Sequence, residues 1–137
     1  MIPGKFAGNW IVEGSNPIAG PEPWNCLLAF MYDMYDSRYP SISIGVELGR
    51  LVNKPEGILT RPMEGPTFED VDVSAGEVVC MLVSVEEGQE FRGGTVDPPI
   101  RYTLLVRMES DERIKVEIFE GNVSDPEFTS NAMYYTR

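Results

Sequence analysis

The 137-residue chain contains no histidine. That absence excludes a Ser-His-Asp or Cys-His relay and any imidazole ligand for zinc. It also removes the side chain best suited to proton transfer near neutral pH. Asp, Glu, Tyr and Lys chemistry remains, so the expectation moves from classical hydrolysis and metal catalysis towards binding. Cysteine is scarce. Cys26 and Cys80 are too few for a disulfide scaffold or, unaided, for a structural zinc site. Both read as small buried side chains. No run approaches the roughly 18 apolar residues of a membrane span. MIPGKFAGNW lacks the apolar core of a secretory signal, so the expected address is cytoplasmic.

Positive charge is also short: Lys and Arg total 11 against 22 Asp and Glu, a net charge of −11. Such a surface repels phosphate backbones and argues against a nucleic-acid partner. It favours solubility and attracts basic proteins. Glu64, Glu69, Asp70, Asp72 and Glu77 cluster in sequence, as do Glu86, Glu87 and Glu90. Neither run has calcium-loop spacing. Gly93-Gly94 has no Lys-Ser after it, so no phosphate loop is indicated. Asn122-Val123-Ser124 matches a glycosylation sequon, which carries no meaning without secretion.

What is present is periodicity of two. In Ser41–Leu48, Ile42, Ile44, Val46 and Leu48 alternate with Ser43, Gly45 and Glu47, which predicts a half-buried strand. Val78–Val85 is a β-branched apolar run, read as a well-buried strand. Arg101–Met108 sets Tyr102, Leu104, Val106 and Met108 on one face and Thr103, Leu105 and Arg107 on the other. Ile114, Val116 and Ile118 alternate with Lys115, Glu117 and Phe119, and Ser110–Arg113 is a hairpin connection between the two runs. Ala132–Thr136 ends the chain as a short strand. Weaker strands are Asn9–Val12, Gly57–Arg61 and Phe68–Val73. The segment from Trp24 to Arg38 fits helix and strand spacing about equally; the β character elsewhere favours a strand. With 42% hydrophobic residues and no dividing linker, residues 1–137 form one domain. The expected fold is all-β, an antiparallel barrel of about 8–10 strands with at most one short helix. An exposed strand edge near Ser41–Leu48 would offer a surface for a homodimer.

Lys5-Phe6-Ala7-Gly8-Asn9-Trp10 is the most specific local pattern. It resembles the opening Gly-x-Trp of the calycin superfamily, the lipocalin-like barrels. The resemblance implies that Trp10 plugs the barrel base and that Arg137, at the end of Tyr134-Tyr135-Thr136-Arg137, packs across it. A cation over an indole is also favourable in itself. More narrowly, the chain resembles the T-type phycobiliprotein chromophore lyases. The residues that carry this are Ala7-Gly8 with Asn16-Pro17, Tyr35-Asp36 with Arg38-Tyr39-Pro40, and Tyr102–Gly121 with the terminal aromatic-x-Arg. The chain departs from that family where Tyr32 and Asp33 replace its Glu-Gln and where its proline and arginine are reordered.

The lyase resemblance implies an open-chain tetrapyrrole ligand, a phycoerythrobilin-like bilin. It needs an aromatic-lined pocket, an acceptor for the pyrrole N–H groups and a cation for the propionates. The candidate ligand-binding residues are Trp24, Tyr32, Tyr35, Asp36, Arg38, Tyr102 and Arg107. Trp10 and Arg137 are the barrel-closing pair. No catalytic residue, metal or required cofactor is expected. A lyase of this kind would act by positioning the bilin for a cysteine of an acceptor phycobiliprotein. Two rivals stand beside this reading. One is an acidic interaction module, an inhibitor or immunity protein. The other is a carrier of fatty-acid type, taking a small hydrophobic ligand without enzyme activity.

Overall fold

A computed structural model describes residues 5–13, 27–32, 40–54, 57–64, 67–84 and 99–137. Among the described residues, eight antiparallel strands run up and down in chain order and close into a barrel. They are β1 (Gly8–Val12), β2 (Leu27–Tyr32), β3 (Pro40–Ile44), β4 (Ile58–Glu64), β5 (Glu77–Ser84), β6 (Tyr102–Ser110), β7 (Arg113–Glu120) and β8 (Met133–Thr136). Closure comes from β1 against β8, with Ile11 opposite Thr136 and Val12 opposite Tyr135. The Glu13 N–H extends that ladder to the Tyr134 carbonyl at 2.9 Å. The predicted all-β barrel is therefore the observed fold.

Alternation decides the inside. Leu28 and Phe30, Ile42 and Ile44, Leu104 and Val106, and Val116 and Ile118 all join one apolar core. Prolines sit where they cost no ladder bond. Pro40 begins β3, and Pro62 follows the last β3–β4 pair, Ile42 with Thr60.

Three local expectations need correction. The strand expected over Ser41–Leu48 stops at Ile44. Val46–Gly49 forms a one-turn helix, α1, that continues as a 3-10 turn over Arg50–Val52. Val46 and Leu48 have strand spacing, whereas Leu48 and Val52, four apart, share one helix face. Leu48 and Val52 are buried in the core, and the turn carrying Val52 reaches β7 on the far side of the barrel. This piece therefore spans one mouth. The strand expected over Phe68–Val73 is replaced by two 3-10 turns, Phe68–Asp70 and Val73–Ala75. Asp72 caps the second, accepting from the Ser74 N–H at 2.9 Å. Phe68 and Val71 turn inward and help close the other mouth. Finally, the strand edge proposed for a homodimer near 41–48 is not free, because β3 pairs with β2 on one side and β4 on the other.

The second mouth is tied to the segment before β1. The Phe6 N–H donates to the Val71 carbonyl at 3.0 Å, and Lys5 Nζ reaches Asp72 at 3.2 Å. The Phe6 and Phe30 rings lie 3.7 Å apart between centroids, and Phe68 meets both edge-on at 5.8 and 5.5 Å. The two edge-on arrangements suit the ring quadrupoles.

Candidate functional site

A lipocalin-like barrel would hold a small ligand in its interior. Trp10, Leu28, Ile42, Leu82, Leu104 and Val116 are each 0% exposed, so no water-sized space adjoins them. With the Phe6–Phe30–Phe68 cluster at one mouth and Leu48 and Val52 at the other, the described interior is filled by the protein's own side chains. Small barrels reach native packing density in this way. Cys80 belongs to this interior; burial pushes its thiol up to about 12, which keeps it protonated and unreactive.

Of the predicted binding residues, only Tyr32, Tyr102 and Arg107 fall among the described ones. Trp24, Tyr35, Asp36 and Arg38 lie outside the described residues, as does Cys26. Tyr32 is the last residue of β2, opposite Pro40. Tyr102 is buried at the start of β6. Strands β2 and β6 run in the same direction, so the last residue of one and the first of the other lie at opposite ends of the barrel. Arg107 is on the outer face of β6. It pairs with Glu109 at 3.2 Å and lies over the Phe128 ring at 5.6 Å. Tyr102 and Arg107 thus occupy opposite faces of one strand.

The pair expected to close the barrel does meet. The Arg137 guanidinium lies 4.1 Å from the Trp10 ring centroid. Trp10 Nε1 donates to the Phe6 carbonyl at 3.0 Å. Arg137 Nε donates to the Asp111 carbonyl at 2.8 Å, and Nη1 to that of Ala7 at 3.4 Å. Its remaining terminal nitrogen, Nη2, is buried without a hydrogen-bond partner. Burial lowers the Arg137 pKa, against the opposing influence of Asp111 and Glu112.

A different site lies outside the barrel. The β7–β8 connection, 121–132, crosses the outer faces of β6 and β7 as a strap. Its first part is held by Thr103, whose hydroxyl donates to the Gly121 carbonyl at 2.8 Å and accepts from the Val123 N–H at 3.0 Å. Its far part is held by Glu117. That carboxylate accepts from the Thr129 N–H and the Thr129 hydroxyl, both at 2.7 Å. The strap explains why Thr103, Leu105 and Glu117 are buried although they face away from the core. A buried carboxylate needs such donors.

Between the strap and β5 lies a groove of about 490 Å³. Half-buried Val79 and Met81 of β5 form its floor, over the fully buried Leu105 of β6, and Pro126 adds an apolar wall. Glu77, Asp125 and Glu127 form the rim. Beside it, Lys115 Nζ lies 4.6 Å from the Phe128 ring centroid and Arg113 lies 4.0 Å from that of Tyr134. Those cations are thereby occupied with the barrel's own aromatic side chains. Sequence reasoning placed Glu77 in an acidic run but missed the groove. The available signal was the apolar outer face, where Val79, Met81 and Leu105 break the inward-apolar, outward-polar alternation.

Among the described residues, no group of three or more Cys, Asp or Glu side chains is placed to hold a metal ion. No described helix is long and apolar enough to cross a membrane. Comparison with family models, curated proteins and solved structures finds no match.

Proposed function

We propose that this protein is a calycin-like barrel that works through its outer surface, as an acidic protein-interaction module. The observation that carries the reading is the packed interior: among the described residues, the core side chains at 0% exposure fill the barrel themselves. The Trp10–Arg137 stack beside the chain's first strand supports the calycin likeness. The net charge of −11 supports a basic protein partner. Rigid packing at both mouths suits a scaffold that presents a fixed surface. On this reading the barrel performs no bond chemistry.

Bilin delivery and fatty-acid carriage are the competing functions, and one experiment separates them from surface binding. The purified protein is titrated with phycoerythrobilin and biliverdin by visible absorbance, and with a hydrophobic dye displaced by fatty acid. The expected result is no saturable band and no displaceable dye. A sharpened, red-shifted bilin band saturating at one per chain would mean that the interior opens, and would overturn the proposal in favour of a bilin carrier. Dye displacement by fatty acid without bilin binding would overturn it in favour of the acyl carrier.

A further inference from the structure

We infer that the groove between β5 and the strap receives an arginine-bearing amphipathic segment of a basic partner protein. The inference rests on the surface-interaction reading above and names its site and the partner's chemistry. Two properties of the groove select this occupant. The floor, Val79 and Met81 over the buried Leu105, is apolar, on the outer face of strands that already have a packed core behind them. The rim carries Glu77, Asp125 and Glu127, and among the described residues none of the three is paired with a cation. Arg107 is the register neighbour of Glu77, but it is turned to Glu109 and Phe128.

An arginine side chain matches both properties. Its aliphatic stem lies on apolar surface while its head stays at the edge, and the head can grip a carboxylate through two parallel bonds. A volume of about 490 Å³ is that of an ordinary ligand pocket, which spans about 300–1,000 Å³. It holds more than one side chain, which favours a segment over a lone inorganic cation. The partner cannot add a strand, because β5 is already paired with both β4 and β6. Recognition is therefore through side chains. The strap wall is fastened in advance by Thr103 and Glu117, so little ordering is needed on binding.

The test uses the full chain and a short fluorescein-labelled peptide of alternating arginine and leucine, read by anisotropy at low salt. An alternating glutamate–leucine peptide is the negative control. One variant combines Glu77→Gln, Asp125→Asn and Glu127→Gln. A second makes the same change in net charge elsewhere, through Asp70→Asn, Glu112→Gln and Glu120→Gln. All six positions are exposed, and urea midpoints check that both variants fold.

The expected result is saturable binding of one arginine peptide per chain, about tenfold or more weaker in the groove variant and about threefold or less weaker in the control. Peptide-induced methyl shifts should centre on Val79, Met81 and Leu105. Equal losses in the two variants would overturn the groove and leave a general acidic interaction surface. So would methyl shifts centred elsewhere. Absence of saturable binding to the unmodified chain would also overturn the groove. A bilin complex at one per chain would instead remove the reading beneath it.

Discussion

Glu117 should hold the strap, and its removal should be felt as both stability and local opening. The carboxylate is 2% exposed and meets two donors from one residue, Thr129 N–H and Thr129 Oγ1, each at 2.7 Å. A hydrogen bond to a charged group contributes about 1.5–3 kcal/mol net, and the cost of burying the carboxylate offsets part of the sum. Glu117→Gln keeps the shape, its Oε1 still accepting from the Thr129 N–H and its Nε2 donating to the Thr129 hydroxyl, but both bonds lose their charge assistance. The expected loss is about 2 kcal/mol, or about 5–8 °C in Tm for a chain of this size. Urea denaturation of Glu117→Gln, Thr129→Val and the double variant forms a cycle; direct coupling predicts a shortfall from additivity of about 1 kcal/mol. Hydrogen exchange at the Thr129 amide should speed up more than at amides of β6. A loss below about 0.5 kcal/mol, with unchanged exchange at Thr129, would refute the claim that this carboxylate fastens the strap.

Three further outcomes follow from other contacts. Arg137→Ala should destabilise the barrel by about 1–2 kcal/mol, with Arg137→Lys intermediate, because the guanidinium lies 4.1 Å from the Trp10 ring centroid; equal urea midpoints for all three proteins would contradict this. In a Cys26→Ser background, Cys80 should resist a thiol reagent at pH 8 until urea unfolds the chain, since its pKa is raised to about 12. Because the folded value lies above the unfolded one, this stabilisation is complete below about 9 and is lost as pH rises towards 12, which pH-dependent urea midpoints would track. Gly57→Ala should cost more than Gly76→Ala, by about 1 kcal/mol or more. Both glycines have positive φ, but only at Gly57 would a Cβ come within 2.9 Å of a carbonyl oxygen, that of Ile44; equal denaturation midpoints would count against that contact.

Much of the barrel was legible from alternation. A strand with one buried face must alternate, and β7 does so, as does β6 apart from Leu105, with a short hairpin between them. The resemblance to the calycin opening named Trp10 and Arg137 as a pair, and closure of β1 on β8 makes them neighbours. Alternation misled where the chain leaves the sheet. Val46 and Leu48 have strand spacing, yet they lie in α1, from which Leu48 and then Val52 fill the mouth. Phe68 and Val71 likewise plug the barrel from 3-10 turns and their flanks.

Composition and periodicity by themselves determined the class of fold, the acidic surface and the lack of imidazole chemistry, because each depends on residue type or on neighbours in sequence. Tertiary structure alone decided where a partner could dock. Glu77 and Asp125 are far apart along the chain, and no spacing rule links them. They share a groove only because the strap folds back over β6 and β7 and is fastened there by Thr103 and Glu117. Those two residues read in sequence as the polar, water-facing positions of their strands. The covering strap turns them into buried anchors, a change that depends on which distant segment comes to rest on them.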